Sequence, residues 1–326
     1  MSRSTPAWLV HRRPGVRFDW TFIAYWALTG VFIGIGLLAL RAQLNRYVPE
    51  PANLFSDASL YLSATQTWVS GGNPWAVTST GGIAFAAPPP ALLLSVPLLP
   101  FGPDAARAFW AVADVVGWLI VIRRLGLGPW WLLFPPFLEA LFPGNPDPAL
   151  AGLVLVGGAW LTAFVKPYSV PAILADGRWR QVLVAAALGV GSLLVLPWGM
   201  FVAQLPVVRD TLEAQAPDLN AWGNPVLMVL VVVALAVLGI RTALRLVVPT
   251  LWPSGQLHYS VFSARAGADS AALAVALAAP ALTAQLVVVY AAFVLTRRVV
   301  GTRTFDRSAA VGPTVRVGPG VDSNDD

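Results

Sequence analysis

The residue most able to do chemistry is Asp57, inside Asn53-Leu-Phe-Ser-Asp-Ala-Ser-Leu-Tyr61, a stretch too polar to cross a bilayer. From it, Leu60, Tyr61, Ala64 and Trp68 follow at offsets of three, four, seven and eleven, the spacing of one helical face. This predicts an amphipathic helix over 56–70, lying on a membrane surface with a carboxylate in its first turn. Ser56 is the expected N-cap, and the positive end of the helix dipole favours an ionised Asp beside it. Such a carboxylate can accept a proton from a hydroxyl presented in the membrane. The plainer alternative is a capping charge on an ordinary interfacial helix.

Other charged residues fall within or beside apolar runs, where each is costly and therefore informative. Arg107 and Asp114 lie seven apart around Trp110 and read as an internal ion pair that orients a helix. Glu139 stands alone, either as a protonated, hydrogen-bonded acid or as a catalytic one. Lys166, followed by Pro167, reads as a snorkelling anchor at a membrane boundary. His258 sits in Leu251-Trp-Pro-Ser-Gly-Gln-Leu-His-Tyr-Ser260, a broken helix expected to surface on the side of Asp57. Irregular backbone at that depth requires a cavity, and a histidine there could hydrogen-bond a phosphate. A satisfied interfacial histidine is the alternative.

The elements that must hold these residues are membrane helices. The chain of 326 residues is 57% hydrophobic and 11% charged, without cysteine, and its apolar runs are continuous rather than alternating. An all-α, polytopic integral membrane protein follows. The net charge of +5 comes from arginines at the ends of apolar runs, which marks cytoplasmic ends rather than a nucleic-acid surface. With His11 and His258 the only histidines, a histidine metal cluster is excluded, and no Gly-rich phosphate loop is present. No metal and no cofactor are therefore expected.

Arg3, Arg12, Arg13 and Arg17 precede the first run, 20–40, which reads as an uncleaved span entered from the cytoplasm. Residues 45–82 then form an outer loop. Prolines 88, 89, 90, 97 and 100 deny 84–100 a crossing helix and predict a re-entrant or interfacial element. Further spans are expected at 104–122, 130–142, 149–165, 182–201, 224–240, 246–264 and 270–296. The total is about eight crossings, within a range of about eight to ten, with both termini cytoplasmic. Residues 1–298 form one transmembrane domain, and 299–326 read as a disordered cytoplasmic tail.

Several motifs, taken in order, resemble glycosyltransferase family 87, the polyprenol-phosphate-mannose-dependent mannosyltransferases of actinobacterial envelopes. They are Asp57-Ala-Ser-Leu-Tyr61, Gly71-Gly-Asn-Pro-Trp75, Ala87-Pro-Pro-Pro-Ala-Leu-Leu-Leu94, Arg123-Arg-Leu-Gly126, Leu161-Thr-Ala-Phe-Val-Lys-Pro-Tyr168, Arg178-Trp-Arg180 and residues 249–259. The resemblance implies a GT-C-like helical bundle with its site on the extracytoplasmic side and Asp57 as catalytic base. It places His258 near the donor phosphate and matches Lys166-Pro167 to a Lys-Pro element. The family's Gly-Gln-x-Asn element is reduced here to Gly144-Asn-Pro-Asp147.

The expected function is transfer of a sugar, mannose, from a polyprenyl-phosphate donor to a lipid-linked or extracellular glycan acceptor, by inverting displacement. Tyr61, Tyr259, Lys166, His258, Arg107 and Arg265 are the expected donor- or acceptor-binding residues, with Arg107 or Arg265 stabilising the leaving phosphate. Membrane lipids are expected partners and nucleic acid is not. The alternatives are a secondary transporter or lipid flippase with Arg107, Asp114 and Glu139 as a buried polar pathway, or a divergent relative without activity.

Overall fold

A computed structural model describes residues 20–79, 81–215, 221–253 and 255–309. The amino-terminal arginines, His11 and the tail beyond Ala309 lie outside the described residues. Among those described, the chain is helical, with a lone bridge between Thr78 and Ala84 in place of any strand. Its α-helices are α1 (Trp20–Tyr47), α2 (Ser56–Val69), α3 (Gly102–Leu125), α4 (Pro135–Leu141), α5 (Asp147–Leu155), α6 (Ala159–Val165) and α7 (Val170–Ala175). They continue as α8 (Trp179–Ser192), α9 (Trp198–Gln215), α10 (Pro225–Leu238), α11 (Ile240–Leu251), α12 (Ala264–Asp269), α13 (Ala271–Ala278) and α14 (Thr283–Ala309). The expected tail from Val299 thus begins inside α14.

Among the described residues three helical runs are long and apolar enough to cross a membrane: Trp20–Tyr47, Pro89–Leu125 and Thr283–Val300. The 28 residues of α1 reach about 42 Å at 1.5 Å per residue, beyond the roughly 30 Å of hydrocarbon. Helix α10 is apolar but shorter. Large apolar side chains such as Leu38, Leu194, Val226 and Val289 face outward, as a surface solvated by lipid would have them.

Other expected spans are not single helices. The stretches 130–142, 149–165, 182–201, 246–264 and 270–296 each break, and the breaking residues are local. Pro135 and Pro136 begin α4 anew, and Gly157 at φ +110° separates α5 from α6. Residues 193–197 separate α8 from α9, Trp252 and Pro253 follow the end of α11, and Pro280 separates α13 from α14. The proline-rich stretch 84–100 forms two 3-10 runs, Pro89–Leu94 and Val96–Phe101, rather than a continuous α-helix. Proline removes a backbone donor and clashes with the preceding turn, so a regular helix cannot pass these points.

The main core joins α1, α3, α4, α10, α13 and α14. Trp118 is fully buried and stacks on Phe134 and Phe137, at centroid distances of 5.5 and 5.2 Å. Its indole N–H donates to the Trp131 carbonyl at 2.8 Å. Helices α3 and α5 touch backbone to backbone: a Cβ on Gly117 would stand 2.4 Å from the Ala149 Cα, and one on Gly152 would stand 2.5 Å from the Gly117 oxygen. Only glycine allows that approach, and it fixes the start of α5 beside the middle of α3.

Candidate active site

Helix α2 begins differently from expectation. Ser56 is not its N-cap; Phe55 is, in the left-handed region at φ 59° and without a side-chain cap. The orphan donors are instead taken by the chain 86 and 87 residues on. Phe55 N–H donates to the Phe142 carbonyl at 2.9 Å, and Asp57 N–H to the Pro143 carbonyl at 2.8 Å. A non-glycine residue at that φ costs about 1–2 kcal/mol, and such strain is held where surroundings over-determine it. The docked loop then delivers Asn145 to Asp57.

Helix α2 is also more enclosed than an interfacial helix. Leu60, Tyr61 and Ala64 pack with Trp75, Phe85 and Leu92, while Ala58 and Leu62 pack on Leu98, Ala106 and Trp110. Of the expected face, Leu60, Tyr61 and Ala64 are buried and Asp57 and Trp68 are half-buried.

Asp57 opens a buried polar network. Its Oδ2 accepts from Asn145 Nδ2 at 3.0 Å, and the same amide nitrogen lies 3.4 Å from His258 Nε2. The Asn145 oxygen faces the other way, accepting the Asp147 N–H at 3.3 Å, which sets the amide's orientation. His258 is anchored from behind by Glu139, whose Oε2 takes the backbone N–H at 2.8 Å and meets Nδ1 at 2.9 Å. His258 Nε2 lies 3.7 Å from Asp147 Oδ2. Asp147, fully buried, also forms an ion pair with Lys166 Nζ at 3.2 Å and accepts from the Tyr168 hydroxyl at 2.6 and 2.7 Å. Lys166 Nζ in turn donates to the Tyr61 hydroxyl at 2.7 Å, and the Tyr168 ring stacks on Tyr259 at 3.9 Å.

These contacts set the acid–base character of the groups. Burial pushes the Asp57 carboxyl above its ordinary value, against the opposing help of Asn145 and His258. Burial also works against the His258 and Lys166 cations, but the facing carboxylates prevail: Glu139 raises His258 and Asp147 raises Lys166. With Nδ1–H held by Glu139, neutral His258 can accept from Asn145 through Nε2. A proton arriving at Nε2 turns that atom into a donor, facing Asp147 and opposed to the Asn145 amide. Proton uptake at His258 is thus felt at the hydrogen bond that Asp57 receives.

Asp57, Tyr61, Lys166, His258 and Tyr259 line one cavity of about 540 Å³. Its walls are apolar, from Phe85 and Ile83 on one side and Leu205, Val208 and Leu212 of α9 on the other, and Arg209 and Glu213 also line it. Comparison with known proteins gives no match: no family model fits the chain, and neither a curated protein nor a solved structure is significantly similar to it. The site is therefore read from its own geometry.

Two expected site residues are elsewhere. Arg107 does not pair with Asp114 and does not line the cavity. Its Nε donates to Ser59 Oγ at 2.8 Å and its Nη1 lies 3.4 Å from Asp104, because one turn toward the helix start offers an exposed carboxylate. Asp114 instead accepts the Ala149 N–H at 3.3 Å at the start of α5. Arg265, expected on the outer face, lies 3.4 Å from Asp176 and shares a pocket with Arg124 and Arg178, since the 3-10 run Leu257–Ser263 carries the chain away from the cavity after Tyr259. Lys166 is no snorkelling anchor but a buried cation, and Glu139 is not solitary. Among the described residues no hydrogen bond or ion pair joins Arg107, Asp114 and Glu139 into a pathway.

Asn145, Asp147 and Tyr168 had no role assigned by sequence. The signal was present: Asn145 and Asp147 make up the shortened Gly144-Asn-Pro-Asp147 element, and Tyr168 follows the Lys-Pro pair. Among the described residues no group of three carboxylate or histidine side chains is arranged to hold a metal ion.

Proposed function

We propose that the protein is a membrane glycosyltransferase of the GT-C type, related to family 87, that moves a sugar from a polyprenyl-phosphate donor to an acceptor hydroxyl. The observation that carries this reading is the meeting of Asp57, Tyr61, Lys166, His258 and Tyr259, spread over some two hundred residues of sequence, on one apolar-walled cavity. Apolar walls suit a lipid chain, and a cluster of tuned carboxylate, imidazole and ammonium groups suits proton and phosphate handling.

Asp57 accepts the proton of the acceptor hydroxyl as its oxygen attacks the anomeric carbon. The bond from that carbon to the phosphate oxygen breaks, and the lipid phosphate leaves with the electron pair. A raised pKa strengthens Asp57 as a base while leaving it ionisable. The departing phosphate requires positive charge. His258 and Lys166 supply it from the cavity floor. Arg209 supplies it from α9, where it is exposed and pairs with the exposed Glu213 at 2.8 Å. In this reading the helices form an outward-facing bundle of about eight crossings with cytoplasmic termini, and the donor is mannosylated.

Incubating the purified protein with radiolabelled polyprenyl-phosphate mannose and total envelope lipids tests the assignment. A new labelled lipid or glycan is the expected result. Donor that binds but is never consumed would exclude a transferase.

A further inference from the structure

A second polar pocket, of about 290 Å³, is lined by Arg124 at the end of α3, Arg178 before α8, and Arg265, Ala268 and Asp269 of α12, with Leu125 and Leu155. It lies well away from the cavity. Along α3, Arg124 is ten residues beyond Asp114, about 15 Å at 1.5 Å per residue, and Asp114 marks the level at which α5 and its Asp147 begin.

Charge at this pocket is out of balance. Arg245 bridges Asp176 at 2.9 Å and Asp269 at 2.8 Å, so the two local carboxylates are already engaged. Arg265 reaches Asp176 only at 3.4 Å, and Arg178 donates to the Val154 carbonyl. Arg124 makes no hydrogen bond or ion pair among the described residues, and it is exposed. Four guanidinium groups thus face two carboxylates, leaving two positive charges unmatched and most of three guanidinium forks free to donate. A guanidinium fork matches the oxygens of a phosphate bidentately, as it does those of a carboxylate.

The apolar side of the pocket narrows the ligand further. Leu125, Leu155 and Arg265 also border a small crevice, of about 30 Å³, formed with Val121, Val154, Ile173 and Phe262 and with the Asp176 carboxylate that Arg245 holds. A free anion has no use for that crevice; the first carbons of an acyl chain do. Basic pockets between membrane helices hold phosphate headgroups in this way.

We infer that this pocket is a binding site for the phosphate headgroup of an anionic membrane phospholipid, separate from the cavity that contains Asp57. The guanidinium groups of Arg124, Arg178 and Arg265 take the phosphate oxygens, and the leucines meet the glycerol end of the acyl chains. Bound lipid would tie the end of α3 and the start of α8 to α12, which the Asp176–Arg245–Asp269 bridge already links to α11 and the end of α7.

The test uses the full chain in detergent micelles, with native mass spectrometry to count retained phosphatidylglycerol or phosphatidylcholine, and inorganic phosphate as a competitor. Wild-type protein should retain phosphatidylglycerol in preference to phosphatidylcholine. Arg124→Gln, which breaks no internal contact, should weaken that retention about tenfold, the loss of one charge-assisted contact. Arg123→Gln removes the same charge one residue away without lining the pocket and should change retention less than about twofold. Arg265→Gln should behave like Arg124→Gln. Equal losses at positions 123 and 124 would reduce the effect to surface electrostatics and overturn the site. No preference between the two lipids would overturn it outright. Inorganic phosphate that binds while neither lipid does would make it a free-anion site and remove the lipid.

Discussion

Two charged regions of this protein follow opposite rules. In the cluster around Asp57 the charged groups are buried or half-buried and each has a specific partner: Asp57 has Asn145, Glu139 has His258, and Asp147 has Lys166 and Tyr168. In the arginine pocket the charges are partly exposed and outnumber their partners. The first arrangement fixes protonation states and geometry, which is what proton transfer needs. The second leaves donors open, which is what a ligand with several oxygens needs. Removing a charge should therefore cost the fold heavily in the first region and barely in the second.

The largest effect is expected at Asp147. Asp147→Ala removes the carboxylate paired with Lys166, whose side chain is 5% exposed, and leaves that cation the neutral Tyr61 hydroxyl. Breaking one side of a buried pair costs about 3–5 kcal/mol, to be read as a fall in denaturation midpoint in detergent. Arg124→Gln should change stability by no more than about 0.5 kcal/mol. Equal changes would erase the distinction between the regions.

An intermediate effect is expected from pH. Asp57 and His258 are both raised in the folded protein. A raised group contributes stability that is complete below its unfolded value and lost as pH rises through its folded value. For His258 that loss begins above 6.5, and for Asp57 above 3.8. Thermal stability should therefore decline as pH rises from 6 to 8, and His258→Gln should flatten that decline. A wild-type profile that improves over this range would contradict the sign.

Smaller still is the effect expected at Arg209, an exposed residue in an exposed pair. Arg209→Gln should weaken binding of the polyprenyl-phosphate donor severalfold and leave the fold unchanged, and added salt should shrink the difference. Unaltered donor binding would remove Arg209 from phosphate recognition. Arg107→Ala should also change stability little, by at most about 1 kcal/mol, since its carboxylate partner is exposed.

Sequence patterning made some of this legible. The periodicity after Asp57 placed α2, and the prolines of 84–100 gave 3-10 rather than α geometry. That stretch nevertheless continues into α3 as one apolar run, Pro89–Leu125, long enough to cross a membrane, so its expected re-entrant path is not shown. Hydropathy identified an all-helical chain with membrane-length helices. It could not distinguish a crossing helix from two short helices packed end to end, as at Gly157 or Pro280, where the composition stays apolar through the break. Long-range pairing was least accessible. Arg107 was matched to Asp114 by helical offset, yet tertiary contacts gave Asp114 to Ala149 and Arg107 to Ser59. Asp147 was passed over because a turn with two prolines reads as a loop, and only the glycine-mediated contact of α3 with α5 buries it.

The central claim, that Asp57 is a base and not a structural charge, is tested most directly by Asp57→Asn in a transfer assay with labelled polyprenyl-phosphate mannose. Asparagine keeps the size of the side chain and one oxygen to face Asn145, and it removes a carboxyl that burial disfavours. The variant should fold at least as stably as the parent and bind donor within about twofold, while sugar transfer falls by at least about a hundredfold, the share of general-base help. A well-folded Asp57→Asn protein that transfers sugar at the parent rate would contradict the account.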